Sequence, residues 1–151
     1  MPQSLSKVYL HLIFHIKTTS VRMMENDLGH IHAYIGKTLN DLGCPSLCVG
    51  GVDDHVHVLF LLSRELGISK VVEDVKRHSS RWIKTLAPQY AKFEWQGGYG
   101  VFSVSQSVVN ETLRYITSQK EHHKKMSFAD EYRKFLDLYK VEYDERYVFK
   151  D

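Results

Sequence analysis

Two histidines separated by one valine, His55-Val56-His57, stand in the segment DHVHVLFLL at residues 54–62. On a strand, alternation sends both imidazoles to one face and Val56 to the other. Two imidazoles so spaced can share a metal ion; a pair of partly solvated sheet histidines fits the same three residues. Sixty residues on, Tyr115 and Gln119 lie four apart in VNETLRYITSQKEHHKK. On a helix, that spacing puts them on one stripe with Glu111 and with His122 or His123. A helical tyrosine ordinarily packs its ring and leaves its hydroxyl at the surface. An amide one turn from the phenol offers more, because the Gln119 carbonyl oxygen is a donor for a hard cation. Joined to the histidine pair, it would make a set of two nitrogens and one oxygen.

Other chemistries are excluded by what is missing. The next residue on the face of His55 and His57 is Leu59, so the strand carries no third alternating histidine. Cys44 and Cys48 flank Pro45 without a second pair, which reads as reduced thiols and not as a zinc site. Gly97-Gly98-Tyr99-Gly100 lacks the Lys-Ser/Thr that would make it a nucleotide-phosphate loop.

The elements that must position these groups follow from periodicity. Residues 8–17, VYLHLIFHIK, alternate between Val8, Leu10, Leu12, Phe14 and Ile16 on one side and Tyr9, His11, Ile13, His15 and Lys17 on the other. A helix follows over about 26–42, with Leu28, Ile31, Ile35, Leu39 and Leu42 inward and Gly43 and Pro45 at its end. Short strands are expected at 46–50, 54–62 and 99–105. A helix capped by Ser69 runs to about Leu86, and a long helix capped by Ser107 begins at about Val108. A last helix after Ser127 shows a partial apolar face of Phe128, Tyr132 and Phe135. This order is βαββαβ with appended helices, an α+β, ferredoxin-like arrangement. It predicts a four-stranded antiparallel sheet with helices on one face and the other face open. The first and third strands are then central neighbours, so His11 and His15 lie beside one face of the strand carrying His55 and His57.

The 151 residues fit one domain, here with a core over about 7–125 and a C-terminal helix and tail over 127–151. With 43% hydrophobic and 25% charged residues, the chain is not a disordered one. The apolar runs are strand-sized and the N-terminus lacks a signal peptide's apolar stretch, so a cytoplasmic protein without a membrane span is expected. The net charge of +2 conceals an acidic tail segment: residues 1–126 carry 15 basic and 11 acidic side chains, a balance compatible with a polyanionic partner.

The chain resembles the HUH single-tyrosine transposases, the small insertion-sequence enzymes that include the repeat-associated tyrosine transposases. The resemblance rests on GGVDDHVH (Gly50 to His57), KRHSSRW (Lys76 to Trp82), FEWQGGYGVFSVS (Phe93 to Ser105) and YITSQKEHH (Tyr115 to His123), in that order. It implies that Tyr115 attacks a phosphodiester of single-stranded DNA, forming a 5′-phosphotyrosine link and freeing a 3′-hydroxyl that later rejoins a strand. It implies Mg²⁺ or Mn²⁺ on His55, His57 and Gln119. It also implies hairpin-containing element ends as substrate, and a homodimer in which a tyrosine helix can serve the partner's histidines. Lys76, Arg77, Arg81, Lys84, His122 and Lys124 are candidate phosphate contacts, although a solvated helix face explains the first four equally well. A non-catalytic single-stranded nucleic-acid-binding module is the alternative on this fold; it would present aromatic rings on an open sheet.

Overall fold

The computed structural model describes residues 2–150. Four strands, β1 (Tyr9–His15), β2 (Ser46–Gly51), β3 (His55–Leu61) and β4 (Gly100–Val104), form one antiparallel sheet in the order β2-β3-β1-β4. Helices α1 (Glu25–Asp41) and α2 (Ile68–Ile83) lie between strands in the chain, as the βαββαβ order requires. The register sets Ile13 opposite His57 and His15 opposite His55 across β1 and β3, the central pair.

The even positions of β1, Leu10, Leu12 and Phe14, and Val56, Val58 and Phe60 of β3 form one core with Ile31, Ile35 and Leu39 of α1 and Val71, Val72, Val75 and Ile83 of α2. Each such side chain taken fully from water contributes roughly 1.5–3 kcal/mol. At the end of α1, Gly43 has φ 77°, its N–H donates to Asn40 O, and Cys44 N–H donates to Leu39 O. This paired closure of the last carbonyls needs a left-handed residue, which glycine adopts without a Cβ penalty.

The opposite sheet face departs from expectation: it is covered, not open. Helices α3 (Val109–Thr117), α4 (Gln119–His122) and α5 (Phe128–Leu138) lie over it, followed by the short α6 (Glu145–Val148). One cluster there joins Tyr9, Leu59 and Val104 to Val109 and Ile116, and another joins Ile13 and Phe102 to Phe128, Tyr132 and Leu136. Both faces of β1 are therefore buried. The apolar side of α5 supplies the cover that an antiparallel sheet otherwise leaves to water.

Three helix boundaries also differ. Gly67 caps α2 without a side-chain bond, so Ser69 lies inside the helix and not at its cap. The long helix expected from Val108 is broken at Ser118, whose φ −102° and ψ 20° leave the helical region. The Ser118 hydroxyl and the Gln119 amide both donate to the Tyr115 carbonyl. Such side-chain bonds compete with the helix ladder and bend it. The cap expected at Ser107 also moves: the Ser105 hydroxyl accepts from Ser107 N–H at the turn leading into α3. Ser127 does cap α5, accepting from Asp130 N–H.

Candidate active site

Strand alternation brings His55 and His57 to the covered face, both with no exposure to solvent. What brings the tyrosine helix within reach of them is Gly50, which pairs with His57 in the β2–β3 register. A Cβ on Gly50 would lie 2.2 Å from the carbonyl oxygen of Ile116, so only glycine lets α3 rest this close on β2. Tyr115 then stands edge-on to His57, with ring centroids 5.7 Å apart. The bend at Ser118 turns Gln119 inward, where it is 1% exposed and its Oε1 lies 3.1 Å from His55 Nε2.

The partners of each imidazole fix what it offers. His55 Nδ1 lies 2.7 Å from Asp54 Oδ1, so the ring donates its Nδ1 proton to that carboxylate. Its Nε2 faces Gln119 Oε1 and Glu131 Oε1, the latter at 3.5 Å, so the three atoms are close enough to meet on one cation. A carboxylate behind a histidine is a common support for a ligating imidazole. His57 Nδ1 lies 2.8 Å from His11 Nε2. In the tautomer that ligates through Nε2, His57 donates that Nδ1 proton to His11. The donor set of His55, His57 and Gln119 thus fits a divalent cation, as its mixture of imidazole nitrogen and amide oxygen would suit.

The residue that sequence reasoning missed is Glu131, on α5. Its Oε1 is 2.9 Å from His57 Nε2 and 3.1 Å from His123 Nε2. Its Oε2 accepts a hydrogen bond from the Tyr115 hydroxyl, and His122 Nε2 lies 3.3 Å from that same hydroxyl. The donor atoms of His55, His57, His123 and Glu131 all lie within 4.8 Å of one another. Burial lowers the His57 pKa to about 4, against the opposing pull of Glu131. Burial would raise the Glu131 carboxyl, but hydrogen bonds from His57 and Tyr115 more than offset it and hold the group well below the usual carboxylate range. Burial, then Glu131, pushes the Tyr115 phenol up, so the resting nucleophile candidate is a neutral hydroxyl.

The comparisons with known proteins give the family and the fold. The sequence pattern described as "Transposase IS200 like" matches residues 4–119. The chain belongs to the IS200-like transposase family. A solved candidate transposase from Deinococcus radiodurans R1 shares its fold at 20% identity and TM-score 0.60, over 79% of this chain and 98% of that one. A REP-associated tyrosine transposase, solved bound to a REP hairpin, is similar in fold at 10% identity and TM-score 0.52, over 77% of this chain and 67% of that one. No curated protein matches the sequence. The matched segment of this IS200-like transposase ends at Gln119, so His122, His123 and all of α5 lie beyond it.

The remaining candidates separate by location. His122 joins the site at the Tyr115 hydroxyl, while Lys124 pairs with Glu121 on the surface. Lys76, Arg77, Arg81 and Lys84 belong to the α2 end of the transposase, on the other side of the sheet from His55 and His57. Lys76 Nζ donates to the carbonyls of Gln96 at 2.5 Å and Gly98 at 2.9 Å, and burial lowers its pKa to about 8. Arg77 pairs with Glu73 and Asp74. Lys76 is thus a tie for the loop before β4, and the group is not brought to the tyrosine. No helix among the described residues is long and apolar enough to cross a membrane.

The signals for Glu131 were weak. It follows the Ser127 cap in an ordinary amphipathic helix, where an acidic residue in the first turn is explained by the helix dipole alone.

Proposed function

We propose that this transposase cleaves and rejoins single-stranded DNA through a covalent tyrosine intermediate, with Tyr115 as nucleophile and a divalent ion, Mg²⁺ or Mn²⁺, on His55, His57 and Gln119. The observation that carries the reading is the meeting, within one chain, of a phenol and a set of ligand-capable donors on one buried sheet face.

A tyrosine hydroxyl is a weak nucleophile near neutral pH. When bound, a divalent ion supplies Lewis-acid polarisation of the phosphate and stabilises charge on the displaced oxygen. Tyr115 Oη forms the new bond to phosphorus as the P–O3′ bond breaks, and the electron pair leaves on the 3′-oxygen. The product is a 5′-phosphotyrosine and, once the 3′-oxygen takes a proton from water, a 3′-hydroxyl end. The Glu131 carboxylate, already accepting from the phenol, is the nearest base for its proton. Because the phenol is pushed up and the carboxyl held down, that transfer accompanies attack and does not precede it. The tyrosyl ester conserves the phosphodiester energy, so a later attack by a 3′-hydroxyl rejoins strands without a nucleotide cofactor.

Hairpin-bearing DNA ends are the substrate class that the family resemblance favours, and one of the similar structures is bound to a REP hairpin. A non-catalytic binding module is disfavoured, since β3 presents His55 and His57 where stacking rings would be expected. A homodimer remains part of the proposal, although every side chain of the site comes from a single chain.

The test is a single-stranded hairpin oligonucleotide with Mn²⁺, resolved on a denaturing gel. Wild type is expected to give a protein–DNA adduct and Tyr115→Phe none, with the fold unchanged. An adduct at the wild-type rate in Tyr115→Phe would remove Tyr115 from the role. Cleavage without any adduct would make the protein a metal-dependent nuclease instead.

A further inference from the structure

We propose that Glu131 and His123 are themselves metal ligands in this chain, joining His55, His57 and Gln119, so that the ion fastens the C-terminal helix α5 to the catalytic face. This rests on the metal reading above and extends it to residues outside the family-matched segment, which stops at Gln119.

Distances carry the argument first. Donors bound to one ion at ~2.1 Å lie about 3.0 Å apart when their bonds are at right angles and about 3.4 Å apart in a tetrahedron. Glu131 Oε1 is 2.9 Å from His57 Nε2, 3.1 Å from His123 Nε2 and 3.5 Å from His55 Nε2. Gln119 Oε1 is 3.1 Å from His55 Nε2. Each separation is an edge of a coordination polyhedron. A hydrogen-bond network explains the group less well. Three ring nitrogens converge on one carboxylate oxygen, which has only two lone pairs to accept hydrogen bonds.

Burial points the same way. Glu131 is 1% exposed, although it sits in the first turn of a helix whose other acidic residue there, Asp130, is in solvent. A carboxylate withdrawn so far from water requires a compensating charge. A divalent ion held by the donors that converge on Glu131 supplies that charge. The second oxygen keeps its bond to the Tyr115 hydroxyl, so one carboxylate spans ion and nucleophile. Loading the site then also orders α5 and fixes the tyrosine.

Calorimetric titration of Mn²⁺ into the full chain tests this, beside Glu131→Gln, His123→Ala and His57→Ala. Removing the ligating charge or the ligating ring costs at least the ~10-fold typical of a supporting residue, so Glu131→Gln and His123→Ala should each bind at least ~10-fold more weakly. Wild-type affinity in both, with loss of binding in His57→Ala, would overturn this proposal and leave the His55/His57/Gln119 site standing. No binding by wild type would overturn both. Should Glu131→Gln fail to fold, as judged by circular dichroism, pulsed electron paramagnetic resonance of wild type with Mn²⁺ decides. Modulation from three histidine nitrogens supports the proposal, and modulation from two overturns it.

Discussion

His11 Nε2 and His57 Nδ1 lie 2.8 Å apart across the central strand pair, β1 and β3. The register makes them diagonal neighbours, since His57 faces Ile13 and His11 is the next residue on the same side. His11 touches no reacting group in the proposed chemistry; it holds the ring that does. Removing it by His11→Ala should weaken Mn²⁺ binding about 10–100-fold, the usual effect of losing a partner behind a ligating histidine. His11→Gln, which retains a polar partner, should recover part of that loss. Calorimetry on both variants checks the order, and equal affinity in His11→Ala and wild type would deny His11 a positioning role.

Gly50 controls the approach of Tyr115, the proposed nucleophile. Its α-carbon faces the Ile116 carbonyl, and the added methyl of Gly50→Ala meets backbone at 2.2 Å, which no side-chain rotation relieves. The variant should lose about 1–3 kcal/mol of stability in urea denaturation. Adduct formation should fall further than stability does, because Tyr115 and Gln119 move with their helix. A fully active Gly50→Ala would show that the contact between α3 and β2 does not set the site.

Metal loading should be visible in thermal unfolding. An ion that binds only the folded chain, at 100 times its dissociation constant, stabilises by about 2.7 kcal/mol. For a domain of this size that raises Tm by about 5–10 °C. The rise should be reversed by a chelator and absent in His57→Ala. An unchanged Tm in wild type at saturating Mn²⁺ would count against a site that is filled only in the folded state.

Subunit mixing tests the arrangement of the site. The Tyr115 ring stands 5.7 Å from the His57 ring of its own chain. Tyr115→Phe mixed with His57→Ala should therefore give no adduct, even if light scattering finds the two-fold dimer. Recovery of activity in the mixture would mean that the tyrosine helix is exchanged between subunits.

Lys76 separates structural from nucleic-acid roles among the basic residues of α2. Its ammonium is held by the Gln96 and Gly98 carbonyls. Lys76→Met should lower stability, because those carbonyls lose a buried donor, by about 1–3 kcal/mol. Affinity for a single-stranded oligonucleotide, measured by fluorescence anisotropy below the melting range, should stay within about twofold. A large drop in affinity with stability intact would return Lys76 to the phosphate contacts.

The sequence by itself determined the βαββαβ order, the central pairing of β1 with β3, and the shared face of His55 and His57. These follow from local rules: a period of two sets which side chains share a sheet face, and Gly43 and Ser127 mark helix ends by backbone freedom and side-chain hydrogen bonding. The i,i+4 relation of Tyr115 and Gln119 was legible for the same reason. The bend at Ser118 was not, because it depends on two side chains competing for one carbonyl. Only the tertiary structure decided that the second sheet face is covered and that Glu131 stands on the histidines and on Tyr115. A first-turn glutamate looks the same in sequence whether it faces water or a buried cluster. Its direction is set by how Phe128, Tyr132 and Leu136 seat α5 against Ile13 and Phe102, contacts made more than a hundred residues apart along the chain for Ile13. Helix periodicity names the apolar face that must be buried, but the surface that buries it is chosen by packing between distant segments.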